Sequence, residues 1–118
     1  MAPDVRSRRS YESGRWTGYE VMLDVREGVI AYGVLLEPKG LAAGEKRPLV
    51  LVQHGLQGRP EMLFQAKEGR PLEVYRNFAA QLADLGYVVF VPQMPFTGDF
   101  RYLSRRAHPL GLSIFSLA

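Results

Sequence analysis

The 118-residue sequence contains no cysteine and only two histidines, His54 and His108. Without cysteine there is no disulfide, no thiolate metal site and no cysteine nucleophile. Neither histidine has a second histidine or a glutamate at helical spacing, so neither a zinc site nor another metal or cofactor site is expected. Long apolar runs are missing as well. None approaches the roughly 20 residues that a membrane-spanning helix needs. Met1 to Gly14 is polar and basic, without the apolar middle of a secretory signal, and a cytoplasmic location is the expectation.

The composition is otherwise that of a globular protein. Apolar residues make up 47%, which argues against disorder. The length suffices for one small domain and is short for a complete enzyme of the class argued below. The net charge is +3. Its basic residues cluster at Arg6, Arg8 and Arg9 and again at Arg101, Arg105 and Arg106. Tyr11 and Trp16 follow the first group, as stacking aromatics would in a nucleic-acid binder. No recognised nucleic-acid motif accompanies them. The two groups are read as a solvated tail and a solvated loop, with no nucleic-acid or membrane partner.

Residues 1–15 read as a flexible basic tail, and 16–118 as part of a single domain. Tyr19 to Arg26 alternates as a half-buried strand does. Glu27-Gly28 supplies a turn, and Val29 to Leu36 follows as a second strand, which pairs with the first as an antiparallel hairpin. Pro38, Gly40 and Gly44 mark a loop. Gly40 to Lys46 has the wrong glycine spacing and the wrong following residue for a phosphate loop. Leu49-Val50-Leu51-Val52 is apolar at consecutive positions, the pattern of an interior parallel strand covered on both faces.

One helix is predicted next, opened by Pro71. Tyr75, Phe78, Ala79, Leu82 and Leu85 form its apolar face, and Gly86 ends it in a left-handed cap. Tyr87 to Val91 is a second continuously apolar strand. The fold class is therefore α/β, an antiparallel hairpin followed by a βαβ unit with a right-handed crossover. A further helix begins at His108-Pro109.

The informative motif is His54-Gly55-Leu56-Gln57-Gly58, directly after a buried strand and followed by Arg59-Pro60. Ester hydrolysis by a serine passes through a tetrahedral oxyanion, and backbone N–H groups aimed at that oxygen stabilise it. Losing one such donor costs about 3–4 kcal/mol. Gly55 and Gly58 let the backbone turn and present its amides, with the N–H of Leu56 as the expected donor. Two glycines in isolation serve equally well to turn a strand into a helix. The position between an interior strand and a helix favours the oxyanion reading. Gln57 and Arg59 are weaker candidates for substrate contact.

Arg47 to Gly58 resembles the third strand and oxyanion loop of bacterial α/β-hydrolases, above all the dienelactone-hydrolase-like and acetyl-xylan-esterase-like groups. Asn77 to Val89 resembles the helix and fourth strand that follow there, and His108 to Ser116 resembles a helix start in some of these enzymes. The similarity runs from about Val21 onward and is most specific from Pro48 to Pro92. It implies the N-terminal part of an α/β-hydrolase fold. The complete sheet would have eight strands in the order 1-2-4-3-5-6-7-8, of which this chain supplies an incomplete sheet, 1-2-4-3. It also implies a Ser-His-Asp triad and metal-free hydrolysis of a small-molecule or carbohydrate ester.

The sequence departs from that pattern in one respect: it contains no Gly-x-Ser-x-Gly elbow. Gly111-Leu112-Ser113-Ile114-Phe115 matches half of one, with Phe115 in place of the second glycine and no apolar strand before it. His54 holds the oxyanion-loop position and is not a triad base. No catalytic residue is assigned; the serine, the acid and the base are expected downstream. Two functions follow as expectations: part of an esterase-type serine hydrolase, or a non-catalytic α/β binding module. Self-association through an exposed sheet edge fits either.

Overall fold

The computed structural model describes residues 4–27, 29–55 and 58–94. Five strands form one sheet: β1 (Arg6–Glu12), β2 (Trp16–Arg26), β3 (Val29–Pro38), β4 (Leu49–Leu51) and β5 (Val88–Pro92). A 3-10 turn, Pro60–Leu63, and two short helices, α1 (Gly69–Tyr75) and α2 (Phe78–Asp84), connect β4 to β5. The spatial order is β1-β2-β3-β5-β4.

This order differs from the expected 1-2-4-3 because the sheet holds five strands where four were predicted. The additional strand lies within residues 1–15, whose sequence reads as a tail. β1 pairs antiparallel with β2, from Arg6 opposite Met22 to Glu12 opposite Thr17, with a bulge between Arg9 and Tyr11. Its sequence, Arg-Ser-Arg-Arg-Ser-Tyr-Glu, has no apolar alternation to reveal a strand. Cross-strand ion pairs supply much of its side-chain contact, with Tyr11 packing against the core. Arg6 reaches Asp24 at 2.9 Å, and Arg8 bonds Glu20, with Nε at 3.0 Å. Glu20 is the centre of this network. It also accepts the Ser10 hydroxyl at 2.6 Å and the Tyr32 hydroxyl at 2.9 Å. These donors, Ser10 first and then Arg8 and Tyr32, hold its carboxyl down at about 2.

β2 and β3 form the expected antiparallel hairpin, from Trp16 opposite Pro38 to Arg26 opposite Val29. β5 runs antiparallel to β3 and parallel to β4, with Val50 opposite Val89. The core lies on one face of this sheet. Val34, Leu36, Val89 and Val91 are fully buried there, together with Trp16 and Val52. Leu63 and Phe64 cover them from the 3-10 turn, and Ala79 and Ala83 from α2. Small alanine side chains let α2 lie close against the strands. The Phe64 ring stands edge-on to Trp16, with centroids 5.9 Å apart, and to Tyr11 at 5.0 Å.

The opposite face is less covered than the sequence pattern suggested. Leu49 and Leu51 are 60% and 68% exposed, while Val50 and Val52 turn inward. Four consecutive apolar residues were read as a strand buried on both faces. In the described residues only one face of β4 is covered, and β4 is the edge of the sheet.

The predicted single helix is also divided. Arg76 and Asn77 both adopt left-handed backbone, with φ of 51° and 50°. Asn tolerates this conformation better than most residues, and here its side chain is fixed. Its Oδ1 accepts the Ala66 N–H at 2.8 Å and its Nδ2 donates to the Ala66 carbonyl at 3.0 Å. That clamp holds the chain out of helical register between α1 and α2. Leu85, expected on the apolar face, is 75% exposed. Gly86 has φ +99° and ends the α2 segment, its N–H donating to the Ala83 carbonyl.

Candidate functional site: the loop after β4

β4 and β5 are parallel, so their C-terminal ends lie side by side, the place where ligands bind in open α/β sheets. The His54–Gly58 loop leaves the end of β4, and Gln93 and Met94 leave the end of β5. Leu56 and Gln57, two of the predicted loop residues, lie outside the described residues. So do His108 and Ser113. His54, Gly55, Gly58 and Arg59 are placed.

His54 is buried, 3% exposed. Its Nε2 faces the Met94 N–H at 3.2 Å and its Nδ1 lies 2.7 Å from the Gly55 carbonyl. An amide N–H can only donate, so Nε2 is the acceptor. Nδ1 then carries the proton and donates to Gly55, which is the neutral Nδ1–H tautomer. Both ring nitrogens are engaged in holding backbone. His54 ties the loop after β4 to the chain after β5.

Gln93 makes a second tie. Its Nε2 donates to the Gly58 carbonyl at 3.1 Å and to the Met94 carbonyl at 3.0 Å, while its backbone N–H donates to Tyr32 at 2.8 Å. Gly58 is small because His54 is near. A Cβ at Gly58 would stand 2.7 Å from His54 Nδ1 and 3.0 Å from the Gly55 carbonyl oxygen. The Gly58 N–H closes the turn onto that same carbonyl at 3.1 Å. The Gly55 N–H donates to the Tyr75 hydroxyl at 2.7 Å.

Arg59 is exposed, with extended backbone, at the start of the 3-10 turn, and its carbonyl accepts the Met62 N–H. Three groups shape this region that the sequence did not single out: Tyr75 as a hydroxyl acceptor, Asn77 as a clamp and Gln93 as a bridge. No local pattern signals them, because each acts on a partner 11 to 35 residues away.

A shallow cavity of about 280 Å³ lies elsewhere, lined by Arg6, Ser7, Arg8, Glu20, Met22 and Tyr32. Its Arg8 pairs with Glu20 and its Arg6 with the adjacent Asp24, and none of the loop residues lines it. Its polar groups secure β1 against the sheet. Among the described residues no group of His, Cys, Asp or Glu could hold a metal ion. Among them, too, no helix is long and apolar enough to cross a membrane.

No protein-family profile matches the sequence, and no curated protein matches it. A solved structure does resemble the fold. The 2.30 Å crystal structure of a Bacteroides fragilis protein assigned as an acetyl xylan esterase superposes with a TM-score of 0.74 at 17% identity. The match covers 100% of this chain and 35% of that protein, so the chain spans about a third of its length. At this identity the likeness concerns the fold: a mixed five-stranded sheet with two helices, similar to part of a hydrolase.

Proposed function

We propose that the chain is the N-terminal portion of an esterase-type serine hydrolase acting on carboxylic esters, of the dienelactone-hydrolase-like or acetyl-xylan-esterase-like kind. In this reading residues 54–58 are its oxyanion loop, and small-molecule or carbohydrate esters are its substrate class. One observation carries the reading. The loop leaves the C-terminal end of a parallel strand and is locked to the end of the neighbouring strand by His54–Met94 and Gln93–Gly58. A hydrogen-bond donor to a developing charge must be held in place before the reaction begins, and these two ties would hold it.

In this reading the Leu56 amide is that donor. Gly55 N–H is engaged by Tyr75, and Gly58 N–H by the Gly55 carbonyl. The second donor, the nucleophile and its base would come from a continuation of the polypeptide, since the 118 residues contain no Gly-x-Ser-x-Gly.

The test is to extend the reading frame and assay the longest natural polypeptide on para-nitrophenyl acetate. A downstream strand ending in Gly-x-Ser-x-Gly, with hydrolysis abolished by replacing that serine, is expected. A natural stop after Ala118 and a stably folded, inactive product would overturn the reading in favour of a binding module.

A further inference from the structure

We propose that residues 67–76 are a hinged flap, latched to Gly55 by the Tyr75 hydroxyl and pivoting on a neck formed by Ala66 and Asn77. When the flap undocks, the Gly55 amide loses its partner and the chain leaving β4 slackens. The proposal stands whether or not the chain is part of an esterase.

One side chain closes the neck. Asn77 binds both backbone groups of Ala66, accepting its N–H at 2.8 Å and donating to its carbonyl at 3.0 Å. On the same side, Gln81 donates to the Arg76 carbonyl. The segment between is a surface loop with its ends held together, the arrangement of an Ω-loop.

Little else holds it down. Within residues 67–76 none is buried; Pro71, Leu72 and Tyr75 are half-buried and the others are exposed. The helix that follows, α2, buries Ala79 and Ala83 in the core. With 7 residues, α1 is too short to persist on its own hydrogen bonds. Among the described residues the segment makes one hydrogen bond beyond its neck, from the Gly55 N–H to Tyr75 Oη at 2.7 Å.

The junctions of α1 carry left-handed backbone: φ is +75° at Gly69, 51° at Arg76 and 50° at Asn77. Glycine and asparagine take this conformation readily, whereas an arginine does so at a cost. Docking holds Arg76 there, and undocking lets it relax, which offsets part of the lost latch. Few buried contacts together with a strained junction define a segment that opens below the free energy of global unfolding.

The experiment is residue-resolved hydrogen exchange by mass spectrometry on the full 118-residue chain at low protein concentration, with and without urea well below the unfolding midpoint. Three amides report on three parts: Arg76, bonded to the Leu72 carbonyl, on the flap; Ala66 on the neck; Leu85, bonded to the Gln81 carbonyl, on α2. Gly55 reports on the latch. Arg76 and Gly55 should exchange about tenfold or more faster than Leu85, at rates that low urea leaves unchanged, because a local opening exposes little surface. Tyr75→Phe keeps the ring and removes the latch. It should speed Arg76 and Gly55 together by about fivefold, the loss of one hydrogen bond, with Ala66 and Leu85 unchanged. Equal rates and equal urea dependence at Arg76, Gly55 and Leu85 would show a single cooperative unit and overturn the proposal. Acceleration of Arg76 without Gly55, or of Ala66 along with both, would overturn it too, since the flap would then be uncoupled from Gly55 or the neck would not be the pivot. A Tyr75→Phe chain that exchanges as wild type does would show that the hydroxyl is no latch.

Discussion

His54 and Met94, 40 residues apart in the chain, are joined by one hydrogen bond from the Met94 amide to the imidazole Nε2. This contact makes the loop after β4 dependent on the strand next to it. The first prediction follows directly. His54→Ala takes the acceptor from the part-buried Met94 amide and should cost about 1 kcal/mol. Urea unfolding at low protein concentration should show the loss as a lower midpoint.

Gly58→Ala should act on the same contact from the other side. The new methyl would meet His54 Nδ1 at 2.7 Å, so the ring must move away and its bond to Met94 must lengthen. The amide resonances of Gly55 and Met94 should shift together in this variant. If neither moves, the packing of His54 against Gly58 is not what fixes the loop.

The acid limb of the stability profile should belong largely to Glu20. Its carboxyl falls from the ordinary 4.5 to about 2 through bonds from Ser10, Arg8 and Tyr32. A depressed folded value stabilises the protein above the unfolded value. That contribution is lost as pH falls from about 4.5 toward 2. Glu20→Gln should flatten this limb in thermal melts taken between those values. Tyr11 predicts the opposite at high pH. Burial first, and then Glu61, raises its phenol from 10.0 to about 12. Stability from Tyr11 is present below 10 and lost as pH climbs through 12.

The isolated chain should self-associate. Leu49 and Leu51 are exposed on β4, and among the described residues β4 is the edge of the sheet. Size exclusion should show concentration-dependent oligomers, and Leu51→Lys should shift them toward monomer. A sharp wild-type monomer peak with a cooperative melt would contradict this.

The isolated chain should not hydrolyse para-nitrophenyl acetate above background. An oxyanion loop stabilises charge but cannot create it without a nucleophile and base. Measurable turnover abolished by Ser113→Ala would instead make Ser113 the nucleophile.

What the sequence revealed, and what it hid, divides along physical lines. Periodicity found β2, β3, β4 and β5, because each places apolar side chains in the core. It could not find β1, whose charged contacts, Arg6 with Asp24 and Arg8 with Glu20, read as a solvated tail and whose single core contact is Tyr11 against Phe64. Helical spacing from Tyr75 to Leu82 spans a break at Arg76 and Asn77, and Tyr75, Phe78, Ala79 and Leu82 pack against the core on either side of it. The break is set by Asn77 bonding Ala66, a contact that no spacing rule encodes. At the loop, the glycines and His54 were legible as a motif. Their partners Tyr75, Gln93 and Met94 were not, since each comes from another element.

The strand order also dictates a timetable. Among the described residues β4 has no neighbour but β5, while β2 and β3 can close their hairpin as soon as both are made. On a chain emerging from its N-terminus, Leu49 to Leu51 must wait, unpaired and apolar, until Val88 to Pro92 has followed. When β5 arrives it must enter between β3 and β4, antiparallel to one and parallel to the other. A ribosome pausing between Gly55 and Tyr87 would hold the nascent protein in the form most able to stick to its neighbours.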